Sequence, residues 1–464
     1  MSDVKIEKWV LCCFLFLVVG AQSGIICNAG GEKQQEYQTS PPDSFILPDK
    51  CCPMVHADLQ MSDNVKTPAL IGNVGLIWHD DLKYGSLMGA GASSNGNIAA
   101  CTFRNYANGY SSREKGDNLI VYDYDGNRLW TSGDKLNHYA WASAPLVSTQ
   151  DEVIACDNQN IYRFDRNGKV IWQSELPESG VPISPVMTES GIIVLATEGG
   201  PVYVYDSRNG TLCASKYLWP DSSTQAYYET INTPCGRGDR IYISTQNSNS
   251  NSLGRLAAID VDAHNPDEAN RLNIAWFYDF EGPSGASPLL IKDELEENII
   301  YFDGAKSIFA LRDRGTYCEE VWKADLSSSI TASFAQDPRG GFWYFPTTSQ
   351  WLVRRAEENG EILQQLNLSQ LLCGNSYSCG NSIMSIYGDP DYPIMITGAS
   401  TVLPPKTYII AVDLVNETLL WKYLIGKSVS KMTYGQFPAL IKNGRPRVVF
   451  TTNKDGTYCI GVPK

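Results

Sequence analysis

Residues Ile161–Trp172 read IYRFDRNGKVIW. A short run rich in β-branched and aromatic residues leads into Asp-Arg-Asn-Gly, and a second run ends in tryptophan. Asn and Gly accept the left-handed backbone that a tight two-strand turn demands, so the stretch spells a hairpin. The unit recurs as LIVYDYDGNRLW ending at Trp130, VYVYDSRNGTLCA ending at Ala214, and a longer form ending at Trp276. It continues to Trp322, to Gln364 and, as YIIAVDLVNETLLW, to Trp421. Upstream of several copies lies a second hairpin built on a small residue and an apolar strand, for example SAPLVSTQDEVIACDN and GASPLLIKDELEENIIYFDG. Each unit therefore reads as four strands.

The unit ends at 78, 130, 172, 214, 276, 322, 364 and 421 lie 42 to 62 residues apart, the length of a propeller blade. After Trp421 the chain supplies three strands and no terminal tryptophan strand. The missing strand is GLIWHDDL around Trp78. The expectation is an all-β fold, an eight-bladed propeller of four-stranded antiparallel blades over 71–464, closed by strands from both termini so that no sheet edge stays open. Trp78, Trp130, Trp172, Trp276, Trp322 and Trp421 are the expected packing residues between blades. Tryptophan is absent at Ala214 and Gln364, and an insertion lengthens the hairpin before Trp276, so looser joints are expected there.

The remainder of the chain sets its context. Lys5 and Lys8 precede an apolar run beginning at Trp9, and Ala21, Gln22 and Ser23 give the A-x-S pattern that ends a secretory signal, so 1–29 reads as an export signal. A cleaved signal, an anchor over 9–26 and a lipoprotein modified at Cys27 all remain open. The protein is expected outside the cytoplasm: secreted, periplasmic or on the cell surface, with any membrane link made by this segment. Residues 30–70, with SPPDSFILPDKCCPM, carry no periodicity and read as a flexible tether. Thirteen cysteines suit an oxidising compartment, and Cys373 and Cys379 in CGNSYSCGN form the best local disulfide candidate. Four histidines without ligand cadence give no metal site, and a net charge of −14 argues against a nucleic-acid partner.

The repeats AVDLVNETLLW (Ala411–Trp421), FDRNGKVIW (Phe164–Trp172) and YDYDGNRLW (Tyr122–Trp130) resemble the outer strand of the pyrroloquinoline-quinone-type repeat propellers, with Glu417 standing where glycine is usual. The resemblance covers about Gly72 to Lys464. It implies the fold; for function it spans quinoprotein dehydrogenases, an assembly lipoprotein that binds no cofactor, and binding propellers. In the dehydrogenases a vicinal disulfide covers the quinone, with Glu, Asn and Asp holding calcium. The pair available here, Cys51–Cys52, precedes the first blade strand, and the long walls of such enzymes are lacking.

The expectation is therefore a non-catalytic binding or assembly scaffold for a protein or other extracytoplasmic ligand, with no cofactor. Two alternatives stand: an oxidoreductase using pyrroloquinoline quinone and calcium, and a carbohydrate-binding propeller. DYDGN (Asp123–Asn127) and DPDYP (Asp389–Pro393) read as turns and not as calcium loops. His138 beside Tyr139 and Trp141 reads as a structural histidine, with a binding mouth as the rival. Phe342–Phe345 (FWYF) reads as a strand packed blade on blade. Asn209, Asn367 and Asn416 carry the glycan acceptor pattern. The Gly/Ser/Asn-rich stretches Tyr84–Asn97 and Thr245–Gly254 read as connecting loops.

Overall fold

The computed structural model describes residues 44–463 except 83–84, 87, 103–116, 199–200, 219–227, 231, 248–252, 283, 331, 348, 375–376, 379–381, 427–434 and 454. Eight antiparallel sheets follow one another along the chain, spanning 90–131, 146–175, 186–216, 235–281, 289–325, 335–367 and 385–426 for blades 1 to 7. Blade 8 takes three strands from the C-terminal end, Ala439–Lys442, Arg445–Thr452 and Gly456–Gly461. Its outer strand is Gly75–Asp80, which pairs antiparallel with the last one and sets Trp78 opposite Cys459. The ring is closed as the repeat count requires. Hydrogen bonding across the termini removes the edge that either end alone would leave exposed.

The joints explain the repeated Asp, Gly and Trp. Each outer-strand tryptophan reaches the third-to-outer turn of the next blade and donates its indole N–H there: Trp78 to Tyr124 O, Trp130 to Arg166 O, Trp172 to Ser207 O and Trp322 to Glu357 O, at 2.7 to 3.2 Å. Trp276 donates to Asp313 Oδ1 at 2.8 Å. Trp421 faces the blade interrupted by the termini and donates instead to Leu70 O at 2.7 Å, on the approach to the closing strand. The turn glycine lies flat on the ring: a Cβ on Gly126 would stand 2.5 Å from the Trp78 indole, and one on Gly168 2.7 Å from that of Trp130. The glycine is thus needed twice, for its positive φ and for the absent side chain. The turn aspartates are absorbed locally. Asp123 Oδ1 accepts from the backbone of Asp125 and Asn127, both at 2.9 Å, and Asp389 Oδ1 caps Asp391 and Tyr392 in the same way.

Where tryptophan is missing, the joint is polar. Gln364 donates to Leu414 O at 3.1 Å and to Glu417 Oε1 at 2.7 Å, so the non-glycine turn residue sits at the joint that has no indole to accommodate. Glu417 accepts a φ of 56° and supplies the bond. At Ala214 the inserted turn of blade 4 closes the gap: Lys216 Nζ reaches Leu272 O at 2.9 Å and Arg271 reaches Cys213 O at 3.3 Å. These two joints are bridged by hydrogen bonds where looseness was expected. A double-mutant cycle tests the covariation. Q364W alone should destabilise, because Glu417 occupies the site of the indole. Q364W with E417G should recover at least about 1 kcal/mol of coupling, read from urea midpoints.

The stretch read as a flexible tether needs correction from Ser44 onward. Phe45, Cys52, Met54, Val55, Met61 and Val65 are each no more than 2% exposed. Lack of periodicity suggested a linker; burial shows a packed segment whose residues each meet a different neighbour. FWYF behaves as expected: Phe342–Tyr344 is a buried strand of blade 6, and Phe342 lies 4.8 Å from the Tyr301 ring of blade 5.

Candidate functional site

The inner strand of each blade presents an unpaired edge toward the ring axis, and buried backbone donors must find acceptors. Residues 46–65 supply them. Ala92 N of blade 1 donates to Cys52 O at 2.7 Å, and Val147 N of blade 2 to Pro53 O at 2.8 Å. Gly236 N of blade 4 donates to Leu59 O, Leu290 N of blade 5 to Gln60 O, Gln336 N of blade 6 to Ser62 O and Ile386 N of blade 7 to Asp63 O, all at 2.8 to 3.0 Å. Gln436, just before the inner strand of blade 8, donates its amide to Met54 O at 3.0 Å. Asn64–Val65 then pairs in parallel with Ile386–Tyr387. The segment thus lines the axial channel as a strap, touching inner strands around the ring. His56, Ala57, Met61 and Asp63 take left-handed backbone conformations, which lets so short a segment turn from blade to blade.

The strap carries a buried polar group. His56 Nδ1 lies 2.9 Å from Asp63 Oδ2, and His56 Nε2 lies 3.1 Å from Ser287 Oγ of blade 5. Ser333 Oγ of blade 6 donates to Asp63 Oδ2 at 2.8 Å, while Asp63 Oδ1 is buried with no partner. Ser287 and Ser333 also bridge their two blades in parallel. The order Ser–His–Asp resembles a catalytic relay, yet all four side chains are no more than 5% exposed, so no substrate atom can approach the Ser287 hydroxyl. Its chemistry is that of a buried tie. Beside it, Asp303 of blade 5 accepts from Ser284 Oγ, Gly285 N and Ala286 N at 2.8 to 3.1 Å, directly before Ser287. Burial pushes its carboxyl up to about 7 against the lowering effect of those bonds. Burial likewise raises Asp63, although His56 and Ser333 pull it down, and raises Asp58, whose carboxyl accepts from Ser62.

Cys51 and Cys52 sit on this strap, with Cys52 buried and Cys51 at a φ of 99°. Both are free thiols; burial raises Cys51 to about 11 and Cys52 well above its ordinary value. Protonated thiols are weak nucleophiles. The pair lies on the segment that lines the inner strands, and no disulfide joins its two thiols. Among the described residues no group of three or more His, Cys, Asp or Glu is placed to hold a metal ion.

The other sequence-marked residues lie apart from the strap. Cys373 is an exposed free thiol just after a short helix, and its proposed partner Cys379 lies outside the described residues; no disulfide joins the described cysteines. Asn209 is exposed in the blade 3 turn, and Asn416 is exposed with its amide donating to Asp413 at 2.8 Å. Asn367 is buried and caps the helix Leu368–Leu371 through its Oδ1, an unsuitable place for a glycan. His138 begins the one-turn helix His138–Ala142 and stands 4.2 Å from the Tyr139 ring. The loops Tyr84–Asn97 and Thr245–Gly254 fall partly outside the described residues. A shallow polar cleft of about 330 Å³ between blades 1 and 2 is lined by Asn95, Gln150, Asp151, Glu152, Asp165 and the Arg166 turn.

A closed eight-blade ring of this repeat, lined inside by its own N-terminal segment, defines a propeller of the pyrroloquinoline-quinone-like repeat class. The chain belongs to the family described as outer membrane protein assembly factor BamB, which matches residues 75–323. No curated protein matches it. Among solved structures it is similar to a europium-containing methanol dehydrogenase, at 9% identity and a TM-score of 0.62, covering 89% of this chain and 98% of that one. It is also similar to the quinohemoprotein alcohol dehydrogenase of Comamonas testosteroni, at 11% identity and a TM-score of 0.61, covering 89% and 81%. BamB of Moraxella catarrhalis aligns at 11% identity and a TM-score of 0.50, covering 84% and 99%. Similarity at these identities establishes the fold alone.

Proposed function

We propose that this chain is an exported, non-catalytic propeller that serves as a binding or assembly scaffold for a protein partner outside the cytoplasm. The observation that supports it most is the buried strap: residues 52–65 lie against the inner strands of blades 1, 2, 4, 5, 6 and 7, on the side where an axial ligand would enter, and on this reading contact falls to the loop faces and blade rims. Family membership points the same way, since the family description names an assembly factor. The free, strongly protonated Cys51 and Cys52 and the buried Ser287–His56–Asp63 tie offer no accessible nucleophile. Export rests on the N-terminal signal pattern of the sequence.

The test is crosslinking in the native envelope followed by affinity capture. One protein recovered reproducibly in a fixed ratio to this chain is the expected result. Retention on a glycan array, lost on replacing the exposed Tyr317 or Trp351, would instead establish a carbohydrate-binding propeller.

A further inference from the structure

The outer strand of each blade ends its sheet, so among the described residues its second edge has no strand partner. Such an edge is a template for pairing with another chain, and bulges and charged side chains are the usual guards against it. Every outer strand here carries a one-residue bulge just before its tryptophan position, at Ala275 in blade 4. Beyond the bulge the regular run is four residues or fewer in the other seven blades. In blade 4 it is six, Trp276–Glu281. Trp276, Tyr278 and Phe280 turn toward blade 5, where they meet Asp313, Glu320 and Phe302. Phe277 and Asp279 take the opposite face. Phe277 is 49% exposed, with the Arg255 guanidinium 3.7 Å from its ring centre, and Arg255 also pairs with Asp279 at 2.5 and 2.8 Å. The carboxylate beside Phe277 is thus neutralised from its own sheet, and this edge lacks the guard of a free charge.

We propose that the blade 4 edge joins two copies of the chain, antiparallel across a two-fold axis at Tyr278, into one continuous sheet. Opposite residues of an antiparallel pair share a face, so the axis passes through one residue of each strand. Centred on Asp279, two carboxylates would face each other. Centred on Phe277, the pairing would run into the bulge at Ala275. Centred on Tyr278, Trp276 lies opposite Phe280 and Phe277 opposite Asp279, so aromatic rings meet and no like charges do. The paired span 276–280 leaves the bond from Lys216 of blade 3 to Leu272 O in place. The contact is between copies of this chain and stands apart from the protein partner proposed above, so either can fail without the other.

Sedimentation velocity of the purified chain from about 1 to 100 µM tests it. The mass should double across the series, and added salt should favour the dimer, because each copy carries a net charge of −14. Hydrogen exchange within 276–280 should slow by about tenfold at the upper concentration. The register is read by crosslinking in a C373S background, which removes the exposed thiol. F277C and D279C chains, mixed and oxidised with glutathione disulfide, should give about tenfold more covalent dimer than either variant alone, because the two positions face each other across the axis. A chain that stays monomeric at 100 µM, exchange in 276–280 that ignores concentration, or a covalent dimer that forms as readily from one variant alone would overturn the proposal.

Discussion

Replacing residues 52–65 with a Gly/Ser linker of equal length is expected to abolish the cooperative unfolding transition. Met54 and Met61 are each 1% exposed, and cutting such a side chain to alanine costs about 2–5 kcal/mol. The replacement removes both together with Cys52, Val55 and Val65, each fully buried. A Gly/Ser linker keeps main-chain carbonyls but has no buried side chains to seat them against the inner strands of blades 1, 2, 4, 5, 6 and 7, where each buried donor left unmet costs about 1–3 kcal/mol. The sum reaches the whole stability of an ordinary domain, about 5–15 kcal/mol. The variant should keep its far-ultraviolet β signal, lose its near-ultraviolet signal and bind a hydrophobic dye. A sharp transition near that of the unaltered chain would show that the strap is a passenger.

Truncation at a single joint is the second large effect. Trp172 is 8% exposed, its indole N–H donates to Ser207 O at 3.0 Å, and its ring underlies Gly210, where an added Cβ would approach to 2.6 Å. W172A opens a gap between blades 2 and 3 and should cost about 3–5 kcal/mol, seen as a lower urea midpoint at unchanged slope. G210V attacks the same joint from the other side, adding a branched side chain at a φ of 74° against the ring. The pair of variants should be less than additive, since the W172A gap admits the new side chain. Simple additivity would mean that the ring and the glycine do not support one another.

The blade repeat was legible because its contacts are the same at every joint. An indole, a turn glycine and a turn aspartate recur whenever one sheet meets the next, and the closing role of Trp78 followed from counting strands. Even the departures carried information: Gln364 and Glu417 stand 53 residues apart and depart from the pattern together because they meet. The strap was not legible, because each of its residues answers a different inner strand, and irregular contacts leave no period to read. The His56–Ser287 contact joins residues separated by 231 positions, so no local motif could announce it. An isolated His, Asp and Ser in an unpatterned segment look the same whether they face water or the axis of a ring. The cysteine pair precedes the first blade strand in sequence, yet the structure places it on the segment bonded to the inner strands, with Cys52 O accepting from Ala92 N.

The ring is closed around its own N-terminal segment, whose carbonyls accept from the inner strands of blades 1, 2, 4, 5, 6 and 7, and on the scaffold reading proposed above it takes no quinone. Titration of the purified chain with pyrroloquinoline quinone and calcium, followed by quinone absorption and dye-linked alcohol oxidation, tests it most directly. The scaffold reading predicts no saturable absorption change and no turnover, whereas a stoichiometric bound-quinone band with alcohol oxidation would contradict it.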